Sequence, residues 1–235
     1  MKPNVSIAIE TSCRAGGVAL GRGDSLAATI AFDASRRHAT QLISHLDGLL
    51  RGASMRPGDV DEAYVSAGPG SFTGLRVGLT VTRTLGQAVP HLRCVAVPTA
   101  LAVAENARDA DWKHLAVIMD AREGSICAGL FERRGGRIVQ AAGPRVLTPQ
   151  EFLAAAPRPL MLIGEGLAYS DLTDEKVQIG DSSLHLPTAE GVWRVGRRMA
   201  QAGQFTDCKR LLPIYVRQPK VLRQWQAGQT GQDRA

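Results

Sequence analysis

The densest group of chemically useful residues is the run Gly68-Pro69-Gly70-Ser71-Phe72-Thr73-Gly74-Leu75-Arg76-Val77-Gly78. An apolar stretch at residues 63–67 leads into it, and a helical pattern over residues 73–89 leads out and stops at Pro90. A loop so placed can offer backbone N–H groups and a helix N-terminus to an anion. The spacing excludes three standard sites. No Lys-Ser/Thr pair follows the glycines as in a P-loop, and G-x-G-x-x-x-G is one residue too long for a dinucleotide fingerprint. Pro69 and Thr73 stand where a G-x-S-x-G nucleophile elbow needs glycine. The structural alternative assigns Gly68 and Gly70 to a turn, Ser71 or Thr73 to the helix cap, and Gly74 and Gly78 to the close approach of another helix. Phe72, an apolar ring on such a loop, points to contact with a partner.

Metal chemistry finds little support. Two histidines four apart on a helix can share an ion, but His38, His45, His91, His114 and His185 contain no such pair. His38 and His45 are seven apart, roughly 10.5 Å of helical rise. Cys13, Cys94, Cys127 and Cys208 occur singly, without C-x-x-C, and read as buried thiols rather than a zinc site or a disulfide framework.

The elements that must position these residues follow from periodicity. Residues 5–9, 17–20 and 26–32 alternate as short strands joined by turns, a meander. Apolar residues at spacings of three and four make residues 39–50 an amphipathic helix. Strand 63–67, the glycine loop with its helix, strand 94–97 and a helix over residues 99–108 complete the first half. The second half opens in the same way. Glu10 closes the first apolar strand and Asp120 the strand that starts at Leu115, and Glu10 to Asp120 and Leu20 to Leu130 share one offset of 110. Such a duplication predicts an actin-like α/β fold of two ribonuclease-H-like domains. The expected division is residues 1–108, residues 109–217 and a basic, disordered tail at residues 218–235. In that architecture Glu10 and Asp120 would be cleft acids, vestigial here because the turn after Glu10 is poor in glycine.

Formal net charge is +6. Residues 1–190 carry 19 basic and 20 acidic side chains, and residues 191–235 carry nine and two, so the whole excess is C-terminal. Arg194, Arg197 and Arg198 share a helix face, and Arg217, Lys220 and Arg223 follow near Trp225. This is a candidate contact to a nucleic-acid backbone or an acidic partner surface. No stretch is apolar enough to span a bilayer or serve as a signal peptide, so a cytoplasmic protein is expected.

GPGSFTGLRVG resembles the signature of the bacterial TsaB (YeaZ) family. Residues 7–12 (IAIETS), 37–42 (RHATQL), 120–124 (DAREG) and 213–217 (PIYVR) are similar, in order, to that family's A-I-D-T-S, R-H-S-x-x-L, D-A-R-x-G and P-x-Y-x-R. Glu10 replaces the usual Asp, and Ala39 the usual Ser. The resemblance covers about residues 4–217. It implies a non-catalytic subunit that binds and activates the transferase (TsaD) placing the threonylcarbamoyl group on the adenosine beside the anticodon of tRNAs reading ANN codons. A small ATPase (TsaE) would join for turnover, tRNA would be met through the complex, and the chain alone could form a homodimer. No cofactor would be firmly bound, though a nucleotide at a subunit interface is compatible. The expected partner-binding residues are Arg37 and His38 just before the first helix, Leu42, Leu46 and Leu49 on it, and Phe72. The alternatives are an actin-fold small-metabolite kinase using Glu10, Asp120 and the glycine loop, or a glycoprotease-like peptidase.

Overall fold

The computed structural model describes residues 3–33 and 38–216. The opening meander is β1 (Val5–Glu10), β2 (Ala15–Arg22) and β3 (Ser25–Asp33). It is followed by α1 (His38–Gly52), β4 (Glu62–Gly68), α2 (Phe72–Ala88), β5 (Arg93–Pro98) and the short α3 (Thr99–Ala104). The second half repeats the plan with β6 (His114–Asp120), β7 (Ile126–Arg134), β8 (Arg137–Leu147), α4 (Pro149–Ala155), β9 (Leu160–Ile163), β10 (Val177–Ile179) and α5 (Ala189–Gln201). One sheet runs β3-β2-β1-β4-β5 and the other β8-β7-β6-β9-β10. In each, three antiparallel strands are extended by two strands parallel to the first.

The duplication is therefore real in topology, but its offset is not constant. Ile7 pairs with Leu20, whereas its counterpart Val117 pairs with Gly129, and Leu130 faces Ala116. The turn after β6 is one residue shorter than the turn after β1, and a one-residue slip moves a strand side chain to the opposite face. Leu20 accordingly joins the core under α1 and α2, while Leu130 packs against the α4 side of its own sheet.

Period-two alternation explains the layering. Val5, Ile7 and Ile9 of β1 point to the core shared with α1 and α2, as do Val18 and Leu20 of β2 and Ala63, Val65 and Ala67 of β4. The intervening Ala8, Ala19 and Tyr64 pack on Ala189, Val192, Trp193 and Val195 of α5. The first sheet is thus covered on its second face by a helix from the far half of the chain. The reciprocal exchange puts Ala100, Val103 and Ala104 of α3 against Leu115, Val117 and Met119 of β6. Helix α3 is shorter than expected: it continues as a 3₁₀ turn, Glu105–Ala107, whose Glu105 carboxylate is buried against Arg198.

Two expectations are corrected. Cys94 and Cys208 are joined in a disulfide across 114 residues, and only Cys13 and Cys127 are free, buried thiols. The arginines of α5 do not form an open basic face, because Arg194 pairs with Glu190, Arg197 with Asp24 and Arg198 with Glu105. Among the described residues no helix is long and apolar enough to cross a membrane.

Candidate functional site

The glycine loop joins β4 to α2. Gly68 has φ of +121°, and a Cβ there would lie 2.4 Å from the Ile214 carbonyl oxygen, so the position requires glycine. Ser71 caps α2, its Oγ accepting from the Gly74 N–H at 3.3 Å. The segment that approaches the helix is the turn after β1, not another helix as expected. A Cβ on Gly74 would sit 1.9 Å from the Thr11 carbonyl oxygen, with similar conflicts from Gly70 against Ser12 and from Gly78 against Thr11 Oγ1. Ser71 N–H donates to the Ser12 carbonyl at 2.6 Å, and Thr11 Oγ1 donates to the Gly74 carbonyl at 2.8 Å. The N-cap N–H of α2 is therefore taken by the Ser12 carbonyl, and the Gly74 N–H by the Ser71 hydroxyl.

The two equivalent acids have opposite surroundings. Glu10 is fully buried; Oε1 accepts from the Ser12 backbone N–H and, at 2.6 Å, from the Ser12 hydroxyl. Oε2 and the nearby Ser66 hydroxyl are both buried without a hydrogen bond. Burial raises the Glu10 carboxyl to about 7, against the lowering effect of the Ser12 bonds. Asp120 is exposed, and its Oδ1 accepts from the Arg122 N–H at 2.8 Å in a turn where Arg122 and Glu123 are left-handed. Asp120 lines an interdomain cleft of about 680 Å³ with Arg14, Arg122, Glu165, Tyr169 and the loop residues 69–73. Burial also raises the Glu165 carboxyl and pushes the Cys127 thiol to about 11, which leaves that thiol a poor nucleophile. Glu10 is thus sealed beneath the turn, and of the two expected cleft acids only Asp120 lines the cleft. Among the described residues no group of three or more His, Cys, Asp or Glu side chains is placed to hold a metal ion.

The larger concavity is an apolar groove of about 940 Å³ between α1 and α2. Ile7, Leu46, Leu50, Val60, Val89 and Leu92 form its buried floor, and Ile43, Thr73, Arg76, Thr80 and Thr84 its rim. Ile43 is 59% exposed and Phe72 45%, so two large apolar side chains extend the apolar surface at the edge of the groove. Phe72 is partly covered by the chain itself: Tyr215 stacks on it at 5.5 Å between centroids, and the Arg76 guanidinium lies 3.7 Å above its ring.

The partner-binding residues read from sequence are corrected in part. Leu42 and Leu49 belong to the core, and Leu46 is buried at the base of the groove. The face of α1 turned to solvent is Ile43, Ser44, Asp47 and Arg51. Sequence reasoning passed over Ile43, Val77, Thr80 and Thr84; the signal was available in α2, which carries Val77, Val81 and Leu85 along one face beside threonines. Phe72 and Arg76 do stand at the groove mouth. Arg37, Arg217, Lys220, Arg223 and the tail at residues 218–235 lie outside the described residues, as does the side chain of His38.

Two mixed five-stranded sheets of one topology, with α3 and α5 exchanged between them, define an actin-like α/β protein whose turn after β1 is packed against its own glycine loop. The chain belongs to the TsaD family, tRNA N6-adenosine threonylcarbamoyltransferase, whose family model matches residues 32–208. It is 28% identical over 227 residues to the tRNA threonylcarbamoyladenosine biosynthesis protein TsaB of Bacillus subtilis (strain 168), covering 93% of this chain and 96% of that protein. TsaB of Escherichia coli (strain K12) is 25% identical over 219 residues, covering 90% and 94%. Among solved structures, a Pseudomonas aeruginosa protein described as similar to peptidase YeaZ superposes with a TM-score of 0.81 at 26% identity, over 91% of this chain and all of the other. YeaZ from the same organism gives 0.79 at 25% identity, over 90% and 99%. The TsaB (YeaZ) resemblance carried by the motifs thus extends along the chain.

Proposed function

We propose that this chain acts in tRNA threonylcarbamoyladenosine synthesis as an accessory subunit, docking through the α1/α2 groove onto a TsaD-type transferase and holding it active. The observation that carries the reading is the groove: an apolar floor with exposed Ile43 and Phe72 at its edges, beside a glycine loop clamped on Thr11 and Ser12. A docking helix or helix pair of matching apolar character would bury that surface. The closed turn, the sealed Glu10 and the high thiol of Cys127 supply no nucleophile, general base or phosphate cradle. Transfer to the anticodon-adjacent adenosine of tRNAs reading ANN codons would be the partner's chemistry, with a TsaE-type ATPase joining for turnover. A second copy of this chain could occupy the same groove when the transferase is absent.

The test is reconstitution. Transferase, the enzyme that supplies threonylcarbamoyl adenylate, and tRNA are assayed with and without this chain. Modification is expected only with the chain present, and none from the chain with tRNA and adenylate alone. Turnover by this chain without the transferase would reverse the assignment.

A further inference from the structure

The segment after α5 straps back across the first domain. Thr206 N–H donates to the Cys94 carbonyl at 2.8 Å, bridging to β5. Cys208 is bonded to Cys94, Leu211 is buried in the core of α1 and α2, and Ile214 N–H donates to the Ala67 carbonyl at 2.6 Å. The strap ends with Tyr215 stacked on Phe72 and accepting from Arg76 Nε at 3.3 Å. Helix α2 makes room for the covalent link at Gly86, where a Cβ would lie 2.6 Å from Cys208 Cβ and 3.0 Å from its sulfur. The disulfide thus fastens the segment to β5 beside α2, the helix that forms one wall of the groove, and it joins no two strands of either sheet.

We propose that Cys94 and Cys208 form a reversible thiol–disulfide modification site that fastens the strap of residues 206–216 and, with it, the Tyr215 cover over Phe72. A low-molecular-weight disulfide, RSSR, is the oxidant. Cys208, at 9% exposure the more accessible of the pair, attacks first as the thiolate; the RSSR bond breaks, a Cys208–SR bond forms and RS⁻ leaves. The Cys94 thiolate then attacks the Cys208 sulfur, forming the intramolecular bond and expelling the second RS⁻. The two protons lost by the cysteines convert both leaving groups to RSH, so two protein thiols are oxidised and one RSSR is reduced. Excess RSH reverses the sequence. Cys94 and Cys208 themselves lie outside the groove lining, so the exchange needs no occupant there.

The full-length chain is equilibrated in glutathione buffers from fully reduced to fully oxidised, alkylated, weighed intact and mapped; the same samples undergo backbone hydrogen exchange. Cys94 and Cys208 are expected to lose alkylation together on oxidation and regain it on reduction, while buried Cys13 and Cys127 stay unlabelled in both states. Reduction should speed exchange at Thr206 and Ile214 by about tenfold or more, with β6 and β7 unchanged. Cys208→Ser should exchange like the reduced chain in every buffer. The proposal is overturned if both cysteines remain alkylatable in the oxidised buffer, if the bond resists reduction, or if Thr206 and Ile214 exchange equally in the two wild-type states.

Discussion

The indole N–H of Trp193 donates to the Ser6 hydroxyl at 2.9 Å across 187 residues of sequence. Ser6 lies on the central strand of the first sheet and Trp193 on a helix that follows the last strand of the second, so the bond ties the end of the second half into the core of the first sheet. With α3 exchanged in the other direction, neither sheet can complete its second layer from its own half of the chain.

A single unfolding transition is therefore expected for both sheets in urea. Trp193→Phe leaves the buried Ser6 hydroxyl without its donor and should cost about 1–3 kcal/mol. Trp193→Ala adds a cavity and should cost about 3–5 kcal/mol. Two resolved transitions, or an unchanged midpoint for the alanine variant, would contradict the exchanged-helix account.

Glu10 should make stability fall as pH rises. Below its ordinary value of 4.5 the carboxyl is protonated in folded and unfolded chains alike. Between 4.5 and about 7 the unfolded chain ionises while the folded chain keeps its proton, so stability declines through that window and then levels. The loss is on the order of 3 kcal/mol. Glu10→Gln keeps an acceptor for Ser12 and adds a donor beside Ser66, so its stability should lack that pH dependence and exceed wild type at pH 8. Urea midpoints of both proteins from pH 4 to 8 make the comparison.

Gly74→Ala places a methyl group on the Thr11 carbonyl, backbone against backbone, and should destabilise the chain by at least about 2 kcal/mol. Gly48→Ala is the control, with open space around its Cβ position on α1, and should stabilise by about 0.5–1 kcal/mol. Thermal melts that move in the same direction for both variants would argue against the loop being clamped on the turn.

Ile43→Asp and Leu46→Asp separate docking from folding. Ile43 stands in water at the groove rim, so its variant should melt like wild type yet bind the transferase about tenfold or more weakly. Leu46 is buried in the core and its variant should be unfolded or insoluble. Pull-down of the transferase by a well-folded Ile43→Asp at wild-type strength would remove the groove from the interface.

Much of this protein is legible in its sequence because the information is local. Alternation over residues 5–32 gives the meander, the three- and four-residue spacing of residues 39–50 gives α1, and Pro90 marks the end of α2. The spacing of the glycine run already excludes the nucleotide and nucleophile motifs, since each of those needs a residue type at a fixed position. What sequence spacing cannot carry is which face of an element meets which neighbour. Leu42, Ile43, Leu46 and Leu49 are all apolar, and only the packing of α1 on β2 and β3 sends three of them inward and leaves Ile43 outside. The glycines read as a helix contact turned out to admit a β-turn, because a missing Cβ announces close approach without naming what approaches. Leu130 does not take the position equivalent to Leu20, because its turn is shorter by one residue, and Cys94 met Cys208 across 114 residues. Such outcomes depend on distances between segments far apart in the chain, and those distances exist only once α5 has crossed to the first sheet and carried the strap with it.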